Sequence, residues 1–227
     1  MATKGIDISG FIPNYYEVGP TSIEPAQVIR IPSLYPNKDK LILNIDVTSD
    51  PTEQHLVSTV SPLAQRTVQI PIKSLNLASD EYYFAVKGKM RPAIVLAGGF
   101  VRWETSPTEQ LFVCVPLYGV DKPRISQRFV IEVQALKYPG MFYLPPSPEF
   151  RLEESVARFS LIQVAHGSES KLHRSGSDPV MLSDEFFGWM RSHLIEYLGA
   201  ELPNERKKDL AALSELVIGE AKAQGVY

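Results

Sequence analysis

The sequence predicts a mainly β fold with helices gathered at its C-terminal end. Three observations carry that reading. Short runs rich in Val, Ile, Leu, Phe and Tyr recur at intervals of roughly ten to fifteen residues, each bounded by Gly, Pro or polar turns. Several of these runs alternate apolar and polar side chains, the period of two that marks a half-buried strand. Beyond residue 182 the periodicity becomes that of amphipathic helices. Many short strands joined by tight turns make a small barrel or sandwich, and the two terminal helices make an αα-hairpin docked on it.

Residues 1–25 carry Gly, Pro and aromatic side chains without a stable period, an N-terminal arm that packs Phe11, Tyr15 and Tyr16 onto the body or extends from it. The β domain is expected over 26–166. AQVIRIP is its first strand, a turn at Pro36, Asn37, Lys38 and Asp39 follows, and LILNIDV alternates cleanly behind it. Residues 48–61 are polar, a loop or short helix, within an insertion around 48–79. In RTVQIPI, Val68, Ile70 and Ile72 share one face while Pro71 pushes the strand toward an edge. EYYFAV, PAIVLA, QLFVCVP and RFVIEV read as further strands, MFYLPPSPEF as a strand end stopped by prolines, and 158–166 as the last strand.

Residues 167–182 are small and polar, which predicts a linker. The helical hairpin occupies 183–227. Ser183 caps the first helix, Asp184 and Glu185 suit its dipole, and Phe187, Met190, Leu194 and Leu198 form its stripe before Gly199. Pro203 opens the second, with Leu210, Leu213, Val217 and Ala221 on one side.

Composition narrows the function. The chain has 227 residues, 44% of them hydrophobic and 22% charged, an ordinary globular balance. No window approaches the roughly 18 apolar residues of a membrane span, and residues 1–10 hold no apolar stretch of signal-peptide length, so a cytoplasmic protein without a membrane partner is expected. The single cysteine, Cys114, excludes an internal disulfide and a multi-cysteine zinc site, and its setting in LFVCVP makes it a buried hydrophobe. Net charge is −3; residues 1–166 carry 16 Lys and Arg against 16 Asp and Glu, and 167–227 carry 7 against 10. A nucleic-acid site must therefore be a local basic patch.

Such a patch opens KGKMRPAIVLAGG, residues 87–99, where Lys87, Lys89 and Arg91 lead into a buried strand. Clustered cations bind backbone phosphate, and a guanidinium holds a phosphoryl oxygen in fixed orientation. The plain alternative is a solvated hairpin end. Arg102 beside Trp103 adds a cation and a stacking ring, the pair that single-stranded nucleic acid needs, or else a ring covering the domain end. Tyr118, Lys122 and Arg124 bring a second basic turn. Nucleotide-binding glycine motifs, zinc-peptidase and α/β-hydrolase signatures are absent from the sequence; Ser168 and Lys171 match SxxK without its companion motifs, and the four histidines show no metal-like spacing. His193 is expected on the solvent side of its helix. No cofactor and no metal are expected.

RPAIVL at 91–96 followed by LFVCVP at 111–116 resembles the paired core motifs of the MazF/PemK family. AQVIRI, SVARFSLIQVAH and MLSDEFFGWMRSHLIEYLG resemble its first strand, late strand and C-terminal helix. The resemblance lies mainly within 87–199 and leaves 48–79 and the final helix outside. It implies an SH3-like small β-barrel, a homodimer, and a metal-free endoribonuclease that cleaves single-stranded RNA as the toxin of a toxin-antitoxin pair, with an antitoxin protein as partner. Arg91 takes the position of the family's catalytic arginine, where it would stabilise charge on the phosphoryl group. The family's Thr or Ser hydroxyl falls on Tyr118, a longer phenol, with Ser126 as another hydroxyl of the same loop. Lys87, Lys89, Arg102, Trp103, Lys122 and Arg124 would bind RNA. The change at Tyr118 keeps a second reading open, a catalytically inactive PemK-like module that binds RNA or a protein partner.

Overall fold

The computed structural model describes residues 3–12, 14–34, 41–46, 57–62, 84–85, 88–101, 110–167, 170–172, 174–175 and 178–227. In chain order the first half holds β1 (Tyr16–Val18), β2 (Val28–Leu34), β3 (Leu41–Asp46), β4 (Val57–Pro62), β5 (Phe84–Ala85), β6 (Gly88–Val101) and β7 (Gln110–Gly119). Helix α1 (Gln127–Gln134) follows, then β8 (Met141–Leu144), β9 (Ser155–Arg158) and β10 (Gln163–His166). Short strands β11 (Lys171–Leu172), β12 (Arg174–Ser175) and β13 (Asp178–Leu182) precede α2 (Asp184–Tyr197) and α3 (Asn204–Ala223). The fold is mainly β with C-terminal helices.

The chain divides into two compact units, Met1–Pro32 with Met90–Tyr227, and Ser33–Lys89. The second contains a three-stranded antiparallel sheet in the order β4-β3-β5, with Leu43 opposite Val60 and Ile42 opposite Phe84. The predicted insertion 48–79 falls within it. The polar stretch at 48–61, expected to be loop or short helix, ends in strand β4, because β3 offers it a ladder partner from Leu41 to Asp46. The predicted turn at 36–39, the strand RTVQIPI and the first part of EYYFAV lie outside the described residues.

The first unit is built on β6 and β7, the apolar runs PAIVLA and LFVCVP of the sequence. They pair antiparallel, Ala93 opposite Pro116 and Val95 opposite Cys114, within an open ladder ordered β11-β2-β6-β7-β9-β8. On its other side β7 is shared: β10 takes Leu111 to Cys114, and β9 takes Leu117 to Gly119. The single last strand expected over 158–166 is thus two strands, separated by a 3₁₀ turn at Phe159–Leu161. β6 runs on past the PAIVLA run, so that Gly98 and Gly99 lie inside it. The register shifts at Val95/Ala97 and again at Gly98/Phe100, so the strand bends through two bulges. A Cβ at Gly98 would overlap the Phe112 ring, and Gly99 has φ +87°, a left-handed conformation that suits glycine.

Alternation along these strands gives the sheet two faces. One carries Val28, Ile94, Val115, Leu117, Phe142 and Ala157, and both ends of the chain cover it: Ile6, Ile8 and Ile12 from the arm, Phe186, Met190, Leu213 and Val217 from α2 and α3. Each fully buried aliphatic or aromatic side chain here contributes about 1.5–3 kcal/mol. The arm is thereby ordered, though by its isoleucines. Tyr15 packs edge-on against Phe186 and Tyr16 donates to the Pro145 carbonyl at 2.6 Å, whereas Phe11 is 57% exposed. Buried Glu154 fixes the start of the arm by accepting from the Lys4 amide at 3.0 Å, the Gly5 amide at 2.6 Å and the Tyr143 hydroxyl at 2.8 Å. Charge-assisted bonds of this kind are about twice as strong as neutral ones.

RFVIEV, expected to be a strand, is helix α1. Its buried positions are Val130, Ile131, Val133 and Gln134, a helical spacing, and the Ser126 side chain caps it by accepting from the Phe129 amide at 3.2 Å. The predicted linker 167–182 contains β13, whose Pro179, Val180 and Leu182 are buried and which pairs with β1. The two C-terminal helices form as expected: Ser183 accepts from the Phe186 amide at 3.4 Å, and Leu210, Leu213, Val217 and Ala221 are all buried. Of the expected stripe of α2, Phe187 and Met190 are buried and Leu194 packs half-buried against the same core. Leu198 is 68% exposed and His193, expected in solvent, is 1% exposed, set between the rings of Phe142 and Phe159 at 6.4 and 5.8 Å.

Candidate functional site

The second face of the sheet is apolar at both ends and charged in the middle. Along β7, alternate residues Phe112 and Cys114 belong to a cluster with Ile29, Ile31, Ala93, Val95 and Ala165, while Val120 belongs to another with Val130, Val133, Tyr143 and Val156. Tyr118 lies between them on the same alternation. Continuing the Ala93–Pro116 register by two residues sets Arg91 opposite Tyr118. On the other side Tyr118 pairs with Val156, so Arg158, two residues on, shares that face and is its diagonal neighbour.

Both guanidiniums come to the ring. The Arg91 Cζ is 4.5 Å from the Tyr118 centroid and that of Arg158 is 5.5 Å away. Each lies within the roughly 6 Å over which a ring face attracts a cation. Arg158 Nε is buried without a hydrogen-bond partner among the described residues. Two like charges drawn to one ring repel each other, and an anion placed between them relieves that repulsion. The arrangement is thus suited to a phosphoryl or carboxylate group.

A cleft of about 240 Å³ opens beside Tyr118 and Arg158. The loop after β7 contributes Lys122 and Arg124, both exposed, and Ile125, Phe129, Met141 and Val156 supply apolar wall. That loop is held from behind. The Lys4 ammonium donates to three of its carbonyls, Val120 at 3.0 Å, Lys122 at 2.8 Å and Ile125 at 2.9 Å. All three of its protons are engaged, so the loop presents its cations from a fixed backbone.

Of the residues singled out in the sequence, Arg91 and Tyr118 come into contact, and Lys122 and Arg124 line the adjoining cleft. Lys89 is exposed on β6, two residues before Arg91. Lys87, Arg102 and Trp103 lie outside the described residues, as do Ser168, His55 and His173. Ser126 is committed to capping α1. Arg158 was not among the candidates. Its signal is the cation ending the alternating run SVAR, a position where an apolar residue would continue the strand. Lys4 carried no signal, since only the fold brings the arm to residues 120–125. Cys114 is fully buried, and burial pushes its thiol up to about 12, which removes it as a nucleophile at neutral pH. Among the described residues no group of His, Cys, Asp and Glu is arranged to hold a metal, and no helix is long and apolar enough to cross a membrane. Comparison of the chain with family models, with curated proteins and with solved structures finds no match.

Proposed function

We propose that this chain is a PemK-like, metal-independent endoribonuclease acting on single-stranded RNA, the toxin of a toxin-antitoxin pair and a cytoplasmic homodimer. The finer reading of the fold goes with it, the open sheet being a variant of that family's SH3-like barrel. The observation that carries the reading is the approach of Arg91 to the Tyr118 ring at 4.5 Å, which unites the two positions the family uses for chemistry. In the proposed reaction the RNA 2′-hydroxyl gives up its proton to solvent water as it attacks the adjacent phosphorus, a 2′,3′-cyclic phosphate forms and the bond to the leaving 5′-oxygen breaks. Arg91, with Arg158, stabilises the charge that builds on the phosphoryl oxygens, and the Tyr118 hydroxyl protonates the leaving oxygen and then regains its proton from water. Purified protein with EDTA and a mixed-sequence RNA is expected to give cleavage that Arg91→Ala lowers by roughly 10²–10³-fold. Absence of cleavage in antitoxin-free protein removes the enzymatic reading.

A second reading has its own observation. Tyr118 replaces a short hydroxyl, and its ring lies under a guanidinium, which is a binding contact as much as a catalytic one. A non-cleaving module that grips RNA would show retardation of labelled RNA that weakens steeply with salt, because phosphate contacts release counterions. A protein partner gives a shallower dependence.

A further inference from the structure

The cleft beside Tyr118 contains more than a backbone phosphate requires. Phe129, Met141 and Val156 give it an aromatic and aliphatic wall, while Lys122, Arg124 and Arg158 give it cations, and among the described residues none that lines it is acidic. Apolar walls with convergent cations select a ligand that is flat and greasy at one end and anionic at the other. Its volume of about 240 Å³ is just under the roughly 300–1,000 Å³ of ordinary ligand pockets. That size suits one ring system with its anionic group rather than an extended molecule.

We propose that this cleft binds a mononucleotide, its base against Phe129 and Met141 and its phosphate against Arg158, Lys122 and Arg124. Aromatic stacking and charge-assisted hydrogen bonds then act together at one site. The Lys4 clamp on residues 120–125 supplies the pre-organisation, so that little loop ordering is lost on binding. Two sources present this chemistry: one nucleotide of an RNA strand lying across Arg91 and Tyr118, or a free nucleotide. The first source rests on the proposed function; the second does not.

The test is calorimetric titration of the full chain with adenosine and uridine monophosphates, with the free nucleosides and inorganic phosphate as single-part probes. At least one monophosphate is expected to bind about tenfold or more tighter than either of its parts, and Lys122→Glu with Arg124→Glu is expected to weaken it by about tenfold or more. Both side chains are exposed, so the double variant should fold, which its melting temperature checks. Phe129→Leu keeps an apolar side chain and removes the ring, and should weaken the monophosphate while leaving inorganic phosphate unchanged. The proposal is overturned if neither monophosphate binds more tightly than inorganic phosphate, or if the charge-reversed protein binds as well as the original. Adding the bound monophosphate to an RNA cleavage reaction separates the sources, since inhibition assigns the cleft to the strand and unchanged cleavage assigns it to free nucleotide. A protein that cleaves no RNA still gives the calorimetric readout, so failure of the enzymatic reading and failure of this one are distinguishable.

Discussion

The two faces of the sheet built on β6 and β7 come from the same strands, alternating residue by residue, yet they meet different requirements. Ile94, Val115 and Leu117 point toward a core closed by the arm, α2 and α3. Their neighbours on the opposite alternation lead into Arg91 and Tyr118, with Arg158 from β9. The difference shows how one strand pair can supply a closed core and a charged face together. The covered face fixes the backbone to which the charged side chains of the other face are attached, and on the proposed function those groups gain from being held where charge develops.

Substitutions on either face separate stability from activity. Phe142 is 2% exposed in the covered core, and Phe142→Ala is expected to cost about 3–5 kcal/mol, read as a lower denaturant midpoint. Arg91→Ala should leave that midpoint within about 1 kcal/mol and lower RNA cleavage by roughly 10²–10³-fold. Equal losses of stability from the two changes would break the comparison. Lys4→Met lies between these cases, because Lys4 belongs to the arm while its ammonium serves the loop beside the charged face. It should cost about 1.5–3 kcal/mol and accelerate amide exchange across residues 120–125, while exchange in α3 stays as it was. Uniform acceleration would mean that Lys4 holds the whole fold rather than that loop.

What could be read from the sequence divides along the same line. Strands β2, β3, β6 and β7 and both terminal helices were legible because each shows its alternation, apolar run or helical repeat over its own length. Helix α1 was misread since Val130, Ile131 and Val133 favour strands, and only the Ser126 cap and the spacing through Gln134 argue otherwise. The role of β13 depends on β1, more than 150 residues away, so no local pattern announces it. The site shows the same limit. Arg91 and Tyr118 were found through a motif, and Lys122 and Arg124 through local charge. Arg158 reaches Tyr118 through a strand pairing, and Lys4 reaches residues 120–125 through the packing of the arm, neither of which is written in neighbouring residues.

The smallest expected effect concerns the apolar end of the second face. Cys114 is buried there and Tyr15 packs against the covered core, and burial raises both, each to about 12. For the thiol the native value lies above the unfolded value of 9.0. The folded chain therefore keeps a proton that the unfolded chain releases. Its contribution is complete below pH 9 and is lost progressively as pH rises toward 12. Between pH 9 and 10 this thiol alone should lower stability by about 1 kcal/mol. Denaturant titrations at these two pH values, repeated with Cys114→Ala, isolate it: the variant should lose less stability over the interval than the original chain. The same loss in both would mean that Cys114 titrates in the folded protein as it does in the unfolded one, and that the apolar end of the second face admits water.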